Sequence, residues 1–467
     1  MSDSEHQPIL RRDFIETALA SVAAFASVTA RQSSVHERDE VEPLEDPVAG
    51  PTPATSELVT RYGRLMKEKG LKRQARTGRV YPSSYGDVLY DWELYFDGIA
   101  LLHFGLPQPS IDGLRMFLES QGDDGFICRR LIPDPAATRM GWGPFENEEH
   151  CKPFLCQLAL LVSRVKGDAS WLSPDDLKRL ERYLDHWLKA QDRDGNGLSE
   201  WRSAPHSGAD TQMQRVGTWR SSYCEGVDLN CFLQMECRAA SELARARGAR
   251  EMAAKFEREA QRKKDRVQIL WDTADAFFYD RDCRTGHPIK VRSGAAFLTL
   301  WAGIATRGQA NELVEKHLKN PREFATPLPV PSYARSESSY TQRYEPPAGA
   351  DVVYALNSGH SNWCGGMWPH WNYLIIHGLR DYGFENEAGD LARKWLAAAS
   401  NPAGLYEWYN AETGKGEGQN PFWAGSSVLG LIVPTELREN VDPSAVRPVN
   451  QPLELRRVQK ALAIPVR

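Results

Sequence analysis

Apolar residues return at i, i+3 and i+4 through twelve separate stretches of this chain, and that periodicity limits its fold more than any other feature. The stretches are 56–69, 91–104, 109–120, 151–165, 173–191, 225–247, 249–269, 292–306, 309–319, 369–382, 385–399 and 422–432. Leu155, Leu158, Ala159 and Val162 form one such face. In Ser173-Pro174-Asp175-Asp176 a capping Ser precedes a Pro at the first helical position, with acids in the first turn. Long Gly-, Pro- and aromatic-rich loops separate alternate helices, at 121–150, 192–224, 320–368 and 400–421. Loops that long inside a compact domain usually carry function. Twelve helices in hairpin-like pairs, with the rich loops on one side, predict an all-α (α/α)6 toroid whose loops build a cup at one rim. A two-domain helical bundle or an α-solenoid would share the helix content, but no repeat of fixed period favours the solenoid.

The ends read differently. Arg11-Arg12-Asp13-Phe14-Ile15, then a mildly apolar stretch from Ala18 closing on Val28-Thr29-Ala30, has the form of a twin-arginine export signal with a small-residue cleavage site. Leu10 and Glu16 depart from that pattern, and a frayed helix with a chance Arg pair is the alternative. The expected organisation is a signal over 1–30, a disordered acidic Pro-rich linker over 31–55, the folded domain over 56–433 and an extension over 434–467. Export to the periplasm or exterior follows from the signal. No stretch approaches the roughly 18 apolar residues of a membrane span. A net charge of -5, without a Lys/Arg cluster interleaved with aromatics, argues against nucleic acid as a partner. Eight Cys show no C-x-x-C pair or zinc spacing, so free buried thiols are expected.

Two loops carry chemistry. One reads Leu198-Ser-Glu-Trp-Arg-Ser-Ala-Pro-His-Ser-Gly-Ala-Asp210, the other Leu405-Tyr-Glu407-Trp-Tyr-Asn-Ala-Glu-Thr-Gly-Lys-Gly-Glu417-Gly. Two carboxylates distant in sequence but convergent in space are what glycoside hydrolysis requires: one protonates the departing oxygen, the other handles water or the anomeric carbon. Asp210 follows a small-residue turn that lets backbone approach a ligand, and as an acid it needs its pKa raised by burial or a neighbouring carboxylate. Glu407 lies among Tyr406, Trp408 and Tyr409, where it would polarise a water. Sugar C–H faces stack on aromatic rings, and fourteen Trp suit that, although a helical core also consumes Trp. Either acid alone could equally be a loop-capping carboxylate.

Four segments, in order, resemble the trehalase and family 63 glycoside hydrolases, a group that includes processing α-glucosidases and glucosylglycerate/mannosylglycerate hydrolases. Tyr90-Asp91-Trp92-Glu93-Leu94-Tyr95-Phe96-Asp97-Gly98 resembles the family's opening helix, and His206-Ser207-Gly208-Ala209-Asp210 its general-acid loop. Trp363-Cys364-Gly365-Gly366-Met367-Trp368-Pro369 with Trp371-Asn372-Tyr373-Leu374 resembles its Trp-Arg-Gly-Pro-x-Trp segment. Tyr406-Glu407-Trp408-Tyr409-Asn410 with Thr413-Gly414-Lys415-Gly416 resembles the segment bearing the general base. The resemblance implies the toroid and an inverting exo-glycosidase acting on a small α-glucoside or α-mannoside, with carboxyl groups about 6.5–9.5 Å apart. It makes Asp210 the acid and Glu407 the base, with Trp92, Glu93, Phe96, Gly208, Trp363, Trp368 and Glu417 holding the sugar. Ala209, Cys364 and Glu93 stand where the family has Trp, Arg and Asp, which bears on the sugar preferred. Arg202, or the pair Arg129-Arg130, could hold a hydroxyl or an anionic aglycone through planar donors. No cofactor and no metal are expected. Asp192, Asp194 and Asn196 resemble the start of a calcium loop, but Ser203 stands at the twelfth position, so a helix-ending turn is the reading. Trp142, Glu146, Glu148, Glu149 and His150 line a further rim loop, and Tyr340, Tyr344 and Tyr354 are lid candidates. A sugar epimerase or uronate lyase, or an inactive sugar-binding or scaffold homologue, are the rival functions.

Overall fold

The structure, a computed structural model, describes residues 53–133, 149–218, 221–343, 362–401, 404–420 and 425–438. Each of the twelve expected stretches is helical. They are α1 Pro53–Leu65, α2 Asp91–His103, α3 Gln108–Glu119, α4 Leu155–Lys166, α5 Pro174–Lys189 and α6 Val227–Ala246, followed by α7 Arg250–Val267, α8 Leu298–Trp301, α9 Arg307–Glu312, α10 Pro369–Asp381, α11 Glu385–Ala399 and α12 Gly425–Arg438. The stretch expected over 292–306 is shorter than predicted: a 3-10 turn, Gly294–Phe297, runs into the single turn of α8.

The even-numbered helices form a closed ring. α2 packs on α4, α4 on α6, α6 on α8, α8 on α10, α10 on α12, and α12 returns to α2. α1, α3, α5, α7 and α11 back onto that ring from outside. Burial follows from position. α2 buries every residue from Asp91 to His103, because one face meets the outer layer and the other the lumen. α5 instead buries a single stripe of Leu177, Leu180, Tyr183, Leu184, Trp187 and Leu188 and leaves its other face wet. Its start is the expected one, with Ser173 and Asp176 capping each other's backbone. An inner helix therefore holds polar residues out of water, and Asp91, Glu93, Asp97 and His103 of α2 are all buried.

At the end of the ring away from the Asp91 turn, Glu436 of α12 joins three helices. Its Oε1 meets His103 Nε2 at 2.6 Å and accepts from the Tyr373 hydroxyl at 2.9 Å, while Oε2 meets His377 Nε2 at 2.9 Å. The domain end expected at 433 thus falls inside α12, and Glu436 beyond it is core. The helix passes Pro434 to reach Arg438. The linker expected to reach 55 likewise overlaps α1, which begins at Pro53. The expected signal over 1–30, the rest of the linker and residues 439–467 lie outside the described residues. No helix among the described residues is long and apolar enough to cross a membrane.

Candidate active site

The Asp210 loop is shaped by one turn of helix, Ala204–Ser207, capped where the Ser203 hydroxyl accepts from His206 N–H at 3.1 Å. Gly208 ends it in the left-handed region at φ 78°, and a Cβ there would sit 2.5 Å from the Trp92 ring. Glycine is therefore what lets this loop lie on the indole and carry Asp210 over it. Beyond Asp210 the loop is tied to the segment at 363. Thr211 Oγ1 accepts from Trp363 N–H at 2.7 Å, Gln212 Nε2 donates to the Trp363 carbonyl at 2.8 Å, and the Cys364 thiol donates to the Thr211 carbonyl at 3.1 Å. Arg215 holds Gln212 in place at 2.9 Å and is itself buried against Asp228 at 2.7 Å and against Asp280.

Glu407 enters from a small antiparallel hairpin in which Trp408 pairs with Glu417 and Tyr409 with Gly416. Gly418, at φ 75°, turns the returning strand so closely beneath the carboxyl that a Cβ would fall 2.6 Å from Glu407 Oε2. That approach delivers the Gln419 N–H to Oε2 at 3.0 Å. The Tyr85 hydroxyl donates to Oε1. Between the two acidic loops lies an aromatic floor. Trp363 stacks on Trp368 with centroids 4.0 Å apart and on Trp92 at 5.8 Å, Trp92 stacks on His370 at 4.7 Å, and Trp368 lies 6.5 Å from Trp408.

The electrostatics divide the cup. On the Glu407 side acids accumulate: burial lifts the Glu407 carboxyl to about 7 against its two hydrogen bonds, and the charge of Asp210 adds to the rise. Glu93 is pushed well above the usual carboxylate range by burial and by Glu407, and its Oε2 has no hydrogen-bond partner among the described residues. Asp97, one turn further along α2, is pushed up by burial and by Glu93. On the Asp210 side cations gather. Arg129 donates to the Pro205 carbonyl within the acid's own loop and stays charged despite burial through Glu149, Asp91, Tyr90 and Asp210. Lys152 lies 3.4 Å from Asp91 and 4.6 Å above the Trp92 ring, with its pKa brought down to about 8 by burial and by Arg129.

The model of the mannosylglycerate hydrolase MGH1-like glycoside hydrolase domain matches residues 88–426, a span that contains the ring, the floor and both acids. The chain belongs to this family. A mannosylglycerate hydrolase of Rubrobacter radiotolerans is 28% identical over 208 residues, 43% of this chain and 43% of that protein. The cytosolic neutral trehalase of Kluyveromyces lactis is 29% identical over 145 residues, 30% of this chain and 17% of that one. The matched stretches thus span less than half the length of these curated relatives. Among solved structures, a GH63 mannosylglycerate hydrolase from Thermus thermophilus in complex with glucose superposes with a TM-score of 0.61 at 18% identity, over 80% of this chain and 99% of that one. The neutral trehalase of Saccharomyces cerevisiae gives 0.51 at 17% identity, over 86% and 85%. These likenesses agree with the (α/α)6 toroid described above.

The other residues expected at the site of this glycoside hydrolase fold are distributed unevenly. Trp92, Glu93, Gly208, Trp363 and Trp368 meet around the two acids. Glu417 stands at the rim of the Glu407 hairpin, paired with Lys415 at 2.9 Å. Phe96 lies beneath the floor, edge-on to His370 and tilted against Phe154, so its contacts are those of packing. Arg202 turns its guanidinium to Gln191 and the Ala190 carbonyl at the end of α5, and Arg129 is the arginine beside the acid. His150 is packed among Phe126, His186 and Trp187 and takes the Ile127 N–H at 3.0 Å, which is structural work. Tyr340 is bound to Glu412 at 2.5 Å, while Tyr344, Tyr354, Trp142, Glu146 and Glu148 lie outside the described residues. The suspected calcium loop is a turn. Asp192 faces Gly197 N–H at 3.0 Å, and although Asp194 converges with Glu200 and Glu225, Arg193 and Arg281 already neutralise the latter two. Tyr85, Lys152 and His370 escaped sequence reasoning. Asp91 sat in a quoted motif, and the buried Lys152 that it pairs with stood in the 151–165 stretch but lies just ahead of the helix that begins at Leu155, while Tyr85 lies in a loop with no period to mark it. Both His370 ring nitrogens lack a hydrogen-bond partner among the described residues, and burial and Lys152 bring its pKa to about 3, so it is neutral.

Proposed function

We propose that this protein is an inverting exo-glycosidase acting on a small α-mannoside or α-glucoside, with Asp210 as general acid and Glu407 as general base. The observation that carries the reading is the meeting of these acids, from loops about two hundred residues apart, close enough that the charge of Asp210 lifts the Glu407 carboxyl across an aromatic floor. In the proposed step Asp210 gives its proton to the glycosidic oxygen as the C1–O bond breaks. A water held by Glu407 bonds to C1 from the opposite face and passes its proton to that carboxylate. Trp92, Trp363 and Trp368 would stack the sugar, and Glu93, kept protonated by burial, would donate to a hydroxyl. The relatives named for mannosylglycerate and trehalose hydrolysis favour a short α-linked substrate. Arg129, beside the acid where the leaving group departs, favours an aglycone bearing a carboxylate, as in the glycosylglycerates. The twin-arginine-like N-terminus adds the proposal that the enzyme works outside the cytoplasm. The eight thiols, all free, suit a chain folded before export.

The test is a panel of α- and β-linked disaccharides and glycosylglycerates, with proton NMR of the first product. The expected result is release from an α-linked glycosylglycerate or small disaccharide with the β anomer appearing first. Retention, or a glycosyl group trapped on Glu407, would replace the inverting assignment by a double displacement.

A further inference from the structure

Burial lifts the Glu407 carboxyl to about 7 even with two donors pulling it down, so that losing either donor would leave more of it protonated and unable to take a proton from water at neutral pH. Those donors favour its charged form. Two donors reach it, one to each oxygen: Gln419 N–H to Oε2 and the Tyr85 hydroxyl to Oε1. The first belongs to the hairpin of Glu407 itself. The second comes from 322 residues earlier, in the loop between the short strand Val80–Pro82 and α2. We propose that Tyr85 is a positioning residue for the catalytic base, holding the Glu407 carboxylate ionised and aimed into the cup.

This rests on Glu407 being the base. The mount is firm. Ser83 Oγ donates to the carbonyls of Gly86 and Val88, at 2.9 and 2.7 Å, and closes the loop on itself. The Tyr85 ring stands edge-on to Tyr90 at 5.4 Å, which fixes the direction of its hydroxyl. Burial, then the neighbouring carboxyls of Glu407 and Glu93, hold the phenol well above its ordinary pKa, so it remains a donor and never a competing base. Because a donor to the charged form lowers a carboxyl's pKa, the tyrosine acts against the burial that the aromatic cup imposes. Gly418 supports the same clamp from below, its missing Cβ leaving room for the Glu407 carboxyl that accepts the Gln419 N–H.

Tyr85→Phe keeps the ring and its contact with Tyr90 while deleting the donor. Thermal unfolding should be nearly unchanged, kcat should fall about tenfold with a smaller change in KM, and the acidic limb of kcat/KM should move up by about one pH unit. Carbon-13 titration of the Glu407 carboxyl, identified by its loss in Glu407→Gln, should show the same upward shift without any turnover. If Glu407→Gln is inactive while Tyr85→Phe leaves both the limb and the titration in place, the positioning role is overturned and the base stands. If Glu407→Gln itself turns over normally, the base assignment falls first, and the proposal falls with it. Should Tyr85→Phe fail to fold, 3-fluorotyrosine at position 85, a stronger donor, should move the limb downward, and an unmoved limb overturns the role.

Discussion

Two buried glutamates at opposite ends of the ring show how neighbours decide what burial does to a carboxyl. Glu407 at the mouth and Glu436 at the closed end are both buried, and desolvation pushes each toward its neutral form. At the mouth burial is joined by the charge of Asp210, and the carboxyl rises to about 7 against its two hydrogen bonds. At the closed end His103 and His377 outweigh the desolvation, and Glu436 is held below its usual range. The first arrangement leaves a group near its titration point, ready to exchange protons. The second locks a charge in place across α2, α10 and α12. The proposed catalysis and the closure of the ring thus use the same side chain in opposite electrostatic settings.

The largest break in that comparison is chemical. Asp210→Asn and Glu407→Gln keep shape and remove proton transfer, so steady-state turnover should fall by roughly 10²–10⁴-fold or more in each while circular dichroism is unchanged. Near-normal rates in either variant remove that residue from its role.

Glu436→Gln should do the reverse. Deleting one partner of a buried charged cluster typically costs about 3–5 kcal/mol, so denaturant unfolding at pH 7 should show a loss of that order with kcat little altered. A carboxyl with a depressed pKa contributes stability that is complete above its ordinary value of 4.5 and vanishes as pH falls through the folded value. The gap between wild type and variant should therefore narrow in acid. A gap that is constant down to low pH would mean that packing, and not charge, is what Glu436 supplies.

Glu407→Gln should also be stabilising, with the opposite pH dependence. Its folded pKa lies above the ordinary 4.5, so ionisation weighs on the folded state increasingly between about 4.5 and 7 and fully above that. The variant escapes up to about 3 kcal/mol at alkaline pH and almost nothing in acid. Unfolding curves at pH 5 and pH 8 measure the difference. Equal stabilities at both would show that the mouth is wetter than the geometry implies.

The smallest expected effect is that of EDTA, which should leave turnover unchanged, since two carboxylates suffice for the proposed step. If the carboxylates of Asp194, Glu200 and Glu225 take up calcium, chelation would lower the unfolding temperature before it touched the rate. Immediate inactivation, reversed by a divalent ion, would require a different mechanism.

Helix period was legible because burial of one face repeats every turn, and all twelve segments were found where the spacing put them. It was least exact where tertiary contacts override period. α8 collapses to a single turn, and α12 runs past Pro434 because Glu436 has buried partners to reach. Asp210 and Glu407 were legible as types in glycine- and aromatic-rich loops. Phe96 and Arg202 were not separable from the residues that meet around the two loops, since an aromatic one turn from Trp92 and an arginine near the Asp210 loop look the same whether they face the cup or the core. Only the structure turned Phe96 under the floor and Arg202 toward α5.

The sequence by itself determined the helices, their order and the two candidate acids, because these depend on local period and on the chemistry of single side chains. The tertiary structure alone decided which helices form the inner ring and which donors reach which carboxyl. It also decided that a phenol 322 residues away from Glu407 would be its partner. A pKa is a property of everything packed around a group, and the packing between distant loops is written in no local pattern.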